Sequence, residues 1–399
     1  MGLAVSLPVS RRVQRIKPSP TVALTGRVAQ LKAQGRDIIS LGVGEPDFDT
    51  PAHIREAGIE AIRQGHTRYT PLEGTVELKD AIIGKFVREN GLRYTRDQIL
   101  VSSGGKQTIF NLVMSVIDPG DEAVIPAPYW VSYPDMVRLA DGVAVTPYAG
   151  PEQRYKISAQ QLADALSDKT RLFILNSPCN PTGAAYSSAE LRALGQVLRN
   201  YPRVVICVDD MYEHIYWGAE PFASFAAVCP ELYDRTVTVN GVSKAYAMTG
   251  WRIGYGGGPV ELIRAMASIQ SQSTSNPSSI AQRASVVALN GDQSCVREMN
   301  RHFRARHDLL VAGLNALPGV TCLSGAGTFY AFAHVAQAMR TLNFSDDVAF
   351  AEHLLLHGGV AVVPGSGFGA PDHMRLSFAC DIGALQQALE RIALALRSR

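Results

Sequence analysis

From about residue 99 the chain alternates short apolar runs with stretches of helical spacing. The runs at 99–102, 122–125, 143–146, 171–175, 204–208 and 236–239 are rich in Val, Ile and Leu and largely lack polar alternation, as strands buried on both faces do. Helical stretches separate them, so the pattern predicts an α/β fold with a doubly wound, mostly parallel sheet. One helix declares its start: Ser187 and Glu190 stand three apart as a capping box, and Leu191, Leu194 and Leu198 follow as an apolar stripe. Asp118-Pro-Gly-Asp121 reads as a turn.

Near residue 300 the texture changes. A long charged helix is predicted over 303–317, closed by Pro318-Gly319, and the runs at 328–332, 360–363 and 374–378 read as strands with helices between them. That is the pattern of a smaller α+β domain. No repeat or low-complexity linker separates the two parts, so they are expected to share an interface. The expected division is an N-terminal arm with the first part of the small domain over 1–48, a large ligand-binding domain over 49–300, and the small C-terminal domain over 301–399.

Composition narrows the possible partners. At 399 residues the chain exceeds one ordinary domain, and Lys+Arg 38 against Asp+Glu 36 leaves a net charge of +2, so no global field favours nucleic acid or an anionic membrane. No apolar run reaches the roughly 18 residues of a membrane span, and the first twenty residues mix Arg11, Arg12, Arg15 and Lys17 without an apolar core. A soluble, cytoplasmic protein is expected. Residues 1–6 match the loose myristoylation pattern, a match that residues this common make by chance. The six cysteines lie far apart with no C-x-x-C pair, and reduced thiols are expected. Gly365-Ser-Gly-Phe-Gly-Ala370 has dinucleotide-loop spacing, but Pro371 and a predicted strand follow where a helix is required. His353 and His357 stand four apart with no Glu between them and no third ligand in view, so no metal is predicted.

The chemistry centres on Ser243-Lys244, with Arg252 eight residues after the lysine. A lysine just past an apolar strand sits at the carboxyl edge of the sheet, where open α/β folds place ligands, and such a lysine can form a Schiff base. The Ser243 hydroxyl and the Arg252 guanidinium suit a phosphate. Asp209 ends the run 204–208, with Tyr212 three residues on; a carboxylate there suits a protonated pyridine nitrogen, although Asp209 and Asp210 also read as helix caps. Gly104, Gly105 and Lys106 lie between a strand and a helix, where glycines admit close approach and first-turn amides face an anion. Together these residues point to pyridoxal 5′-phosphate.

The chain resembles the fold-type-I, class I aminotransferases, in particular the bacterial subgroup of aspartate aminotransferases that often also act on prephenate. Beyond the lysine motif the likeness runs through Gly44-Glu-Pro-Asp-Phe48, Tyr69, Pro128-Tyr-Trp-Val-Ser-Tyr133, Asn176-Ser-Pro-Cys-Asn-Pro-Thr-Gly183, Asp209-Asp-Met-Tyr-Glu-His214 and Arg375, from about Arg11 to the C-terminus. The resemblance implies that Lys244 holds the cofactor covalently and Asp209 pairs with its ring nitrogen. It implies that Trp130 stacks on the ring while Asn180 and Tyr212 bond its phenolic oxygen. Gly104, Gly105, Ser243 and Arg252 would hold the phosphate, joined by Tyr69 from the partner subunit of a homodimer. Gly44 would contact substrate and Arg375 clamp its α-carboxylate. For the second carboxylate of an acidic substrate the likeness points to Lys106, helped by Lys17, Ser19 and Thr21.

Taken singly, Trp130 and Tyr212 also read as core aromatics, the loop 180–183 as a turn, Arg375 as a surface ion pair, Lys106 as a phosphate contact and Lys17 as a solvated arm residue. Jointly, in this order, they read as a site. The activity implied is ping-pong transfer of an amino group between aspartate or glutamate and 2-oxoglutarate, oxaloacetate or prephenate. The alternatives are a pyridoxal-dependent cysteine-conjugate β-lyase and, further off, a non-catalytic pyridoxal-binding regulator, which would carry a DNA-binding domain ahead of the likeness.

Overall fold

The computed structural model describes residues 9–16 and 20–397. A seven-stranded sheet forms in the order Ile99–Ser102, Gly254–Gly257, Thr236–Gly241, Val205–Asp209, Thr170–Asn176, Glu122–Val124 and Val143–Val145. Only Gly254–Gly257 runs against the others. Along Thr170–Asn176 the side chains alternate between two apolar layers. Leu172 and Ile174 pack with Ile109, Leu112 and Val113 of the helix Gly105–Val116, whereas Phe173 and Leu175 pack with Leu191, Leu194 and Leu198 of the helix Ser188–Leu198. Burial on both faces is what the unalternated apolar runs require.

The predicted local signals appear in place. Ser187 Oγ accepts from the Glu190 amide at 3.3 Å while Glu190 Oε2 accepts from the Ser187 amide at 2.7 Å, closing the capping box. Asp121 bonds back to Asp118 across the turn. Gly254–Gly257 is a strand that its composition hides, since three of its four residues are glycines, which strands disfavour. A Cβ at Gly254 would strike the backbone of Gly104 and Gly105. The glycines thus let the helix Gly105–Val116 settle directly on this strand.

Beyond it, Thr321–Cys322, Tyr330–His334, His373–Ser377 and Val363–Pro364 form an antiparallel four-stranded sheet. The helix Ser294–Asn315 packs on it through Phe303, Leu310 and Leu314; it starts nine residues before the predicted one. The predicted strand at 360–363 is split. Val360–Ala361 pairs in parallel with Ile39–Ser40, and after Val362 the chain enters the antiparallel sheet, setting Val363 opposite Arg375. From Ile39–Ser40 the N-terminal segment runs on as residues 41–44 into the space between the two sheets. His353 and His357 stack at 4.6 Å, with His353 bonded to the Ala395 carbonyl. All six cysteines are free. No helix among the described residues is long and apolar enough to cross a membrane.

Candidate active site

A cavity of about 440 Å³ lies between the carboxyl edge of the seven-stranded sheet and the four-stranded sheet. Topology explains its place, because the loops after parallel strands gather at that edge. Thr21, Gly44, Gly105, Lys106, Trp130, Asn180, Asp209, Tyr212, Ser243, Lys244, Arg252 and Arg375 all line it.

Lys244 follows the strand Thr236–Gly241 by three residues, and its Nζ donates to the Gly44 carbonyl at 2.6 Å. Burial, reinforced by the Arg252 and Arg375 charges against the pull of Glu45 and Asp209, lowers its pKa to about 8. Such an amine is neutral far more often than an ordinary lysine, and so is a better nucleophile and base. Asp209 ends its own strand, buried, with Oδ2 accepting from the Tyr133 hydroxyl at 2.6 Å and Oδ1 from the Met211 amide at 3.1 Å. Burial pushes its carboxyl up against these bonds, so a cationic partner would favour its charged form.

At one end of the cavity the helix Gly105–Val116 presents its first turn, whose amides have no partner within the helix. Gly104 precedes it at φ +93°, and a Cβ there would run into the Arg252 guanidinium. Arg252 itself is in the left-handed region at φ +57° and donates to the carbonyls of Thr249 and Ser103 at 3.0 and 3.1 Å. Helix amides, the Ser243 hydroxyl and a guanidinium therefore converge on an anion-sized corner.

At the other end Arg375 is 2% exposed. It donates through Nη1 to Asn180 Oδ1 at 3.0 Å and through Nη2 to the Gly42 carbonyl at 2.8 Å, while its Nε has no partner. Its guanidinium lies 4.3 Å from the centre of the Tyr330 ring, and the Tyr330 hydroxyl is 3.2 Å from that of Tyr212. Lys106 Nζ lies 4.9 Å over the Trp130 ring, with its pKa lowered by burial and then by Arg252. Tyr69 stands apart, 91% exposed on this chain. Lys17 and Ser19 lie outside the described residues.

The model for the family "Aminotransferase class I and II" matches residues 36–392. The chain belongs to that family. It is 56% identical over 393 residues to an aspartate/prephenate aminotransferase of Nitrosomonas europaea, spanning 97% of this chain and 99% of the other. It is 51% identical over 389 residues to one of Cereibacter sphaeroides, spanning 96% and 97%. Among solved structures, an aspartate aminotransferase of Rhizobium meliloti superposes with a TM-score of 0.93 at 48% identity, covering 98% of this chain and 99% of that one. That of Thermus thermophilus with maleate superposes with a TM-score of 0.92 at 44% identity, covering 98% and 100%. The protein is an aminotransferase, and membership in the class implies pyridoxal 5′-phosphate.

The residues of this aminotransferase fit that cofactor. The first-turn amides, Ser243 and Arg252 suit its phosphate, buried Asp209 suits a ring nitrogen that carries a proton, and Lys244 is an amine held ready for an aldehyde. The sequence reading missed other members of the site. Tyr330 and Gly42 carried no motif signal, and Tyr133 and Asn176 were quoted without a role. Asn176 pairs with Asp209 across the sheet, donates to its carbonyl at 2.8 Å and accepts from the Asn180 amide at 2.8 Å. An asparagine at a strand's carboxyl end, one strand over from the aspartate, is a signal that sequence could have offered.

Proposed function

We propose that this aminotransferase binds pyridoxal 5′-phosphate at Lys244 and moves the amino group between aspartate or glutamate and a 2-oxo acid, 2-oxoglutarate, oxaloacetate or prephenate, as a cytoplasmic homodimer. The observation that carries the reading is that two cations, Arg375 and Lys106, line one cavity with the Lys244 amine. Neither has an ion-pair partner among the described residues, and an amino acid with two carboxylates would supply both. The names of the relatives and the maleate in the Thermus structure, a dicarboxylate, support the same substrate class.

When bound, the cofactor supplies an electron sink for the charge left as a Cα proton departs. Arg375 binds the α-carboxylate on its Nε side, and Lys106 receives the second carboxylate. Lys244 would hold the cofactor until the incoming amine displaces it, and its freed amine is then placed to take the proton from the substrate Cα. Asp209 holds a proton on the ring nitrogen, its own charge kept in place by Tyr133 and the Met211 amide. Asn180 and Tyr212 donate to the phenolic oxygen. Trp130, with Lys106 over its face, walls off one side of the cavity. A 2-oxo acid then runs the steps backwards in the same cavity, which predicts ping-pong kinetics.

The test is a rate panel of amino donors against 2-oxoglutarate, oxaloacetate and prephenate. Transfer fastest with acidic donors is expected. Pyruvate and ammonia released from cysteine conjugates without any acceptor, with no transfer from aspartate, would make the protein a β-lyase instead.

A further inference from the structure

Behind the turn 209–214, on the side away from the cavity, lies a buried ionic cluster that the steps above do not use. Lys85 ends the helix Val76–Lys85 and is 0% exposed. The next residues, Phe86–Asn90, form a π turn closed by Gly91 at φ +67°. The wider π turn brings residues five apart onto one side. Lys85 Nζ accordingly donates to Asn90 Oδ1 at 2.7 Å, and the two side chains grip one carboxylate. Lys85 bonds Glu213 Oε1, and Asn90 Nδ2 donates to Glu213 Oε2 at 2.7 Å. Glu89, Glu213 and His214 form the one three-ligand cluster among the described residues. The positive charges against it are the buried Lys85, 3.7 Å from Glu89, and at its outer side Arg88, whose guanidinium bonds Glu89 at 2.6 Å.

Glu213 follows Tyr212 directly. Asp209 and Tyr212 line the cavity, while Glu213 reaches back to the cluster and Asp210 is held by Ser224 Oγ at 2.7 Å. Past Asp209 the turn belongs to no strand or helix; backbone ties it to its neighbours only near its two ends, Asp210 to Val239 at 2.9 Å and Ile215 to Thr328 at 2.8 Å, and within it only Glu213 to Asp210 and Ile215 to Tyr212 are bonded through backbone. Between those ends, residues 211–214 are held to the rest of the fold chiefly through side chains. A buried ion pair is poor evidence of stability, since two charges must be desolvated to make it. A carboxylate gripped at both oxygens, however, has its orientation defined as well as its charge met.

We infer that Lys85 and Asn90 are positioning residues: by clamping both oxygens of Glu213 they hold, from behind, the turn that presents Tyr212 to the cofactor and whose Met211 amide seats Asp209 Oδ1. The inference rests on the pyridoxal phosphate reading of the cavity. Removing the clamp leaves Arg375 and the Arg252 corner untouched. It loosens Tyr212, which faces the phenolic oxygen, and the Met211 amide that seats Asp209 Oδ1.

The test uses the loaded enzyme and three variants: Asn90→Ala, Lys85→Met, and the double variant Lys85→Met with Glu213→Gln, which leaves no unpaired buried charge if the single one fails to fold. In the double variant we expect pyridoxal phosphate to dissociate about tenfold more readily, the scale of one charge-assisted bond. The pH midpoint of the bound cofactor's visible absorbance should shift, and kcat should fall about tenfold with KM for the amino donor within about twofold. Asn90→Ala should show the same changes in smaller measure. Wild-type cofactor affinity and absorbance midpoint in the double variant, however low its thermal stability, would make the cluster purely structural and overturn the inference. A wild-type protein that takes up no pyridoxal phosphate would overturn the reading of the cavity itself.

Discussion

Arg375 donates to the side-chain carbonyl of Asn180 at 3.0 Å across 195 positions of sequence. The bond joins a strand of the four-stranded sheet to a loop of the seven-stranded one and leaves Nε of the same guanidinium unpartnered. A substrate carboxylate that completes Arg375 therefore binds a guanidinium already tied to both sheets. Arg375→Lys keeps the charge but loses the fork that serves Asn180, Gly42 and a ligand together. KM for aspartate should rise about tenfold to a hundredfold. Steady-state kinetics check this, and an unchanged KM would place the α-carboxylate elsewhere.

Lys244 carries a pH prediction. Its pKa is lowered to about 8 by burial first and nearby guanidinium charge after it. About half of the amines are then neutral at pH 8, against under about 1% for an ordinary lysine. The neutral amine attacks an aldehyde, so cofactor-free protein should take up pyridoxal phosphate faster as pH rises, levelling above about 8. Stopped-flow absorbance measures it; a rate still climbing about tenfold from pH 8 to pH 9 would assign the reaction to an ordinary lysine. Borohydride reduction and peptide mapping should find the adduct on Lys244.

Tyr330→Phe removes one hydroxyl, the one 3.2 Å from Tyr212, and keeps the ring on which Arg375 stacks. The expected signature is split: kcat about tenfold lower, with KM for the amino acid within about twofold. A rise in KM alone would assign Tyr330 to carboxylate binding.

At Gly104 the backbone is left-handed at φ +93°, and any Cβ meets Arg252. Gly104→Ala should strain the turn and displace the guanidinium from the anion corner. Equilibrium dialysis should show pyridoxal phosphate bound about tenfold more weakly. Pyridoxal, which lacks the phosphate, should bind as before, and an equal loss for both would mean that the substitution acts on the fold.

Tyr69 is 91% exposed on the single chain, a strange place for a residue of the cofactor site unless a second chain carries it there. Sedimentation should find a homodimer, and Tyr69→Phe should weaken cofactor binding without altering the pH course of Lys244. A fully active monomer would contradict a site completed by the partner.

Much of this protein was legible without coordinates because it is written in local pattern. Unalternated apolar runs declare strands buried on both faces, Ser187 with Glu190 declares a helix start, and a lysine or aspartate just past such a strand must lie at the carboxyl edge of the sheet. The places of Lys244, Asp209 and the glycines before the helix Gly105–Val116 follow from those rules, and Arg252 from its spacing to Lys244 and its suitability for a phosphate. Tertiary structure alone decided the rest. The glycine strand Gly254–Gly257 forms, against its own propensity, between two strands that pair with it on either side. The split of the run 360–363 follows from two different pairing partners. Tyr330 on Tyr212, Asn180 on Arg375, and Lys85 on Glu213 join residues 118, 195 and 128 positions apart. Local propensity carries no term for such pairs; only the packing of two sheets and the helices around them brings their side chains within bonding distance.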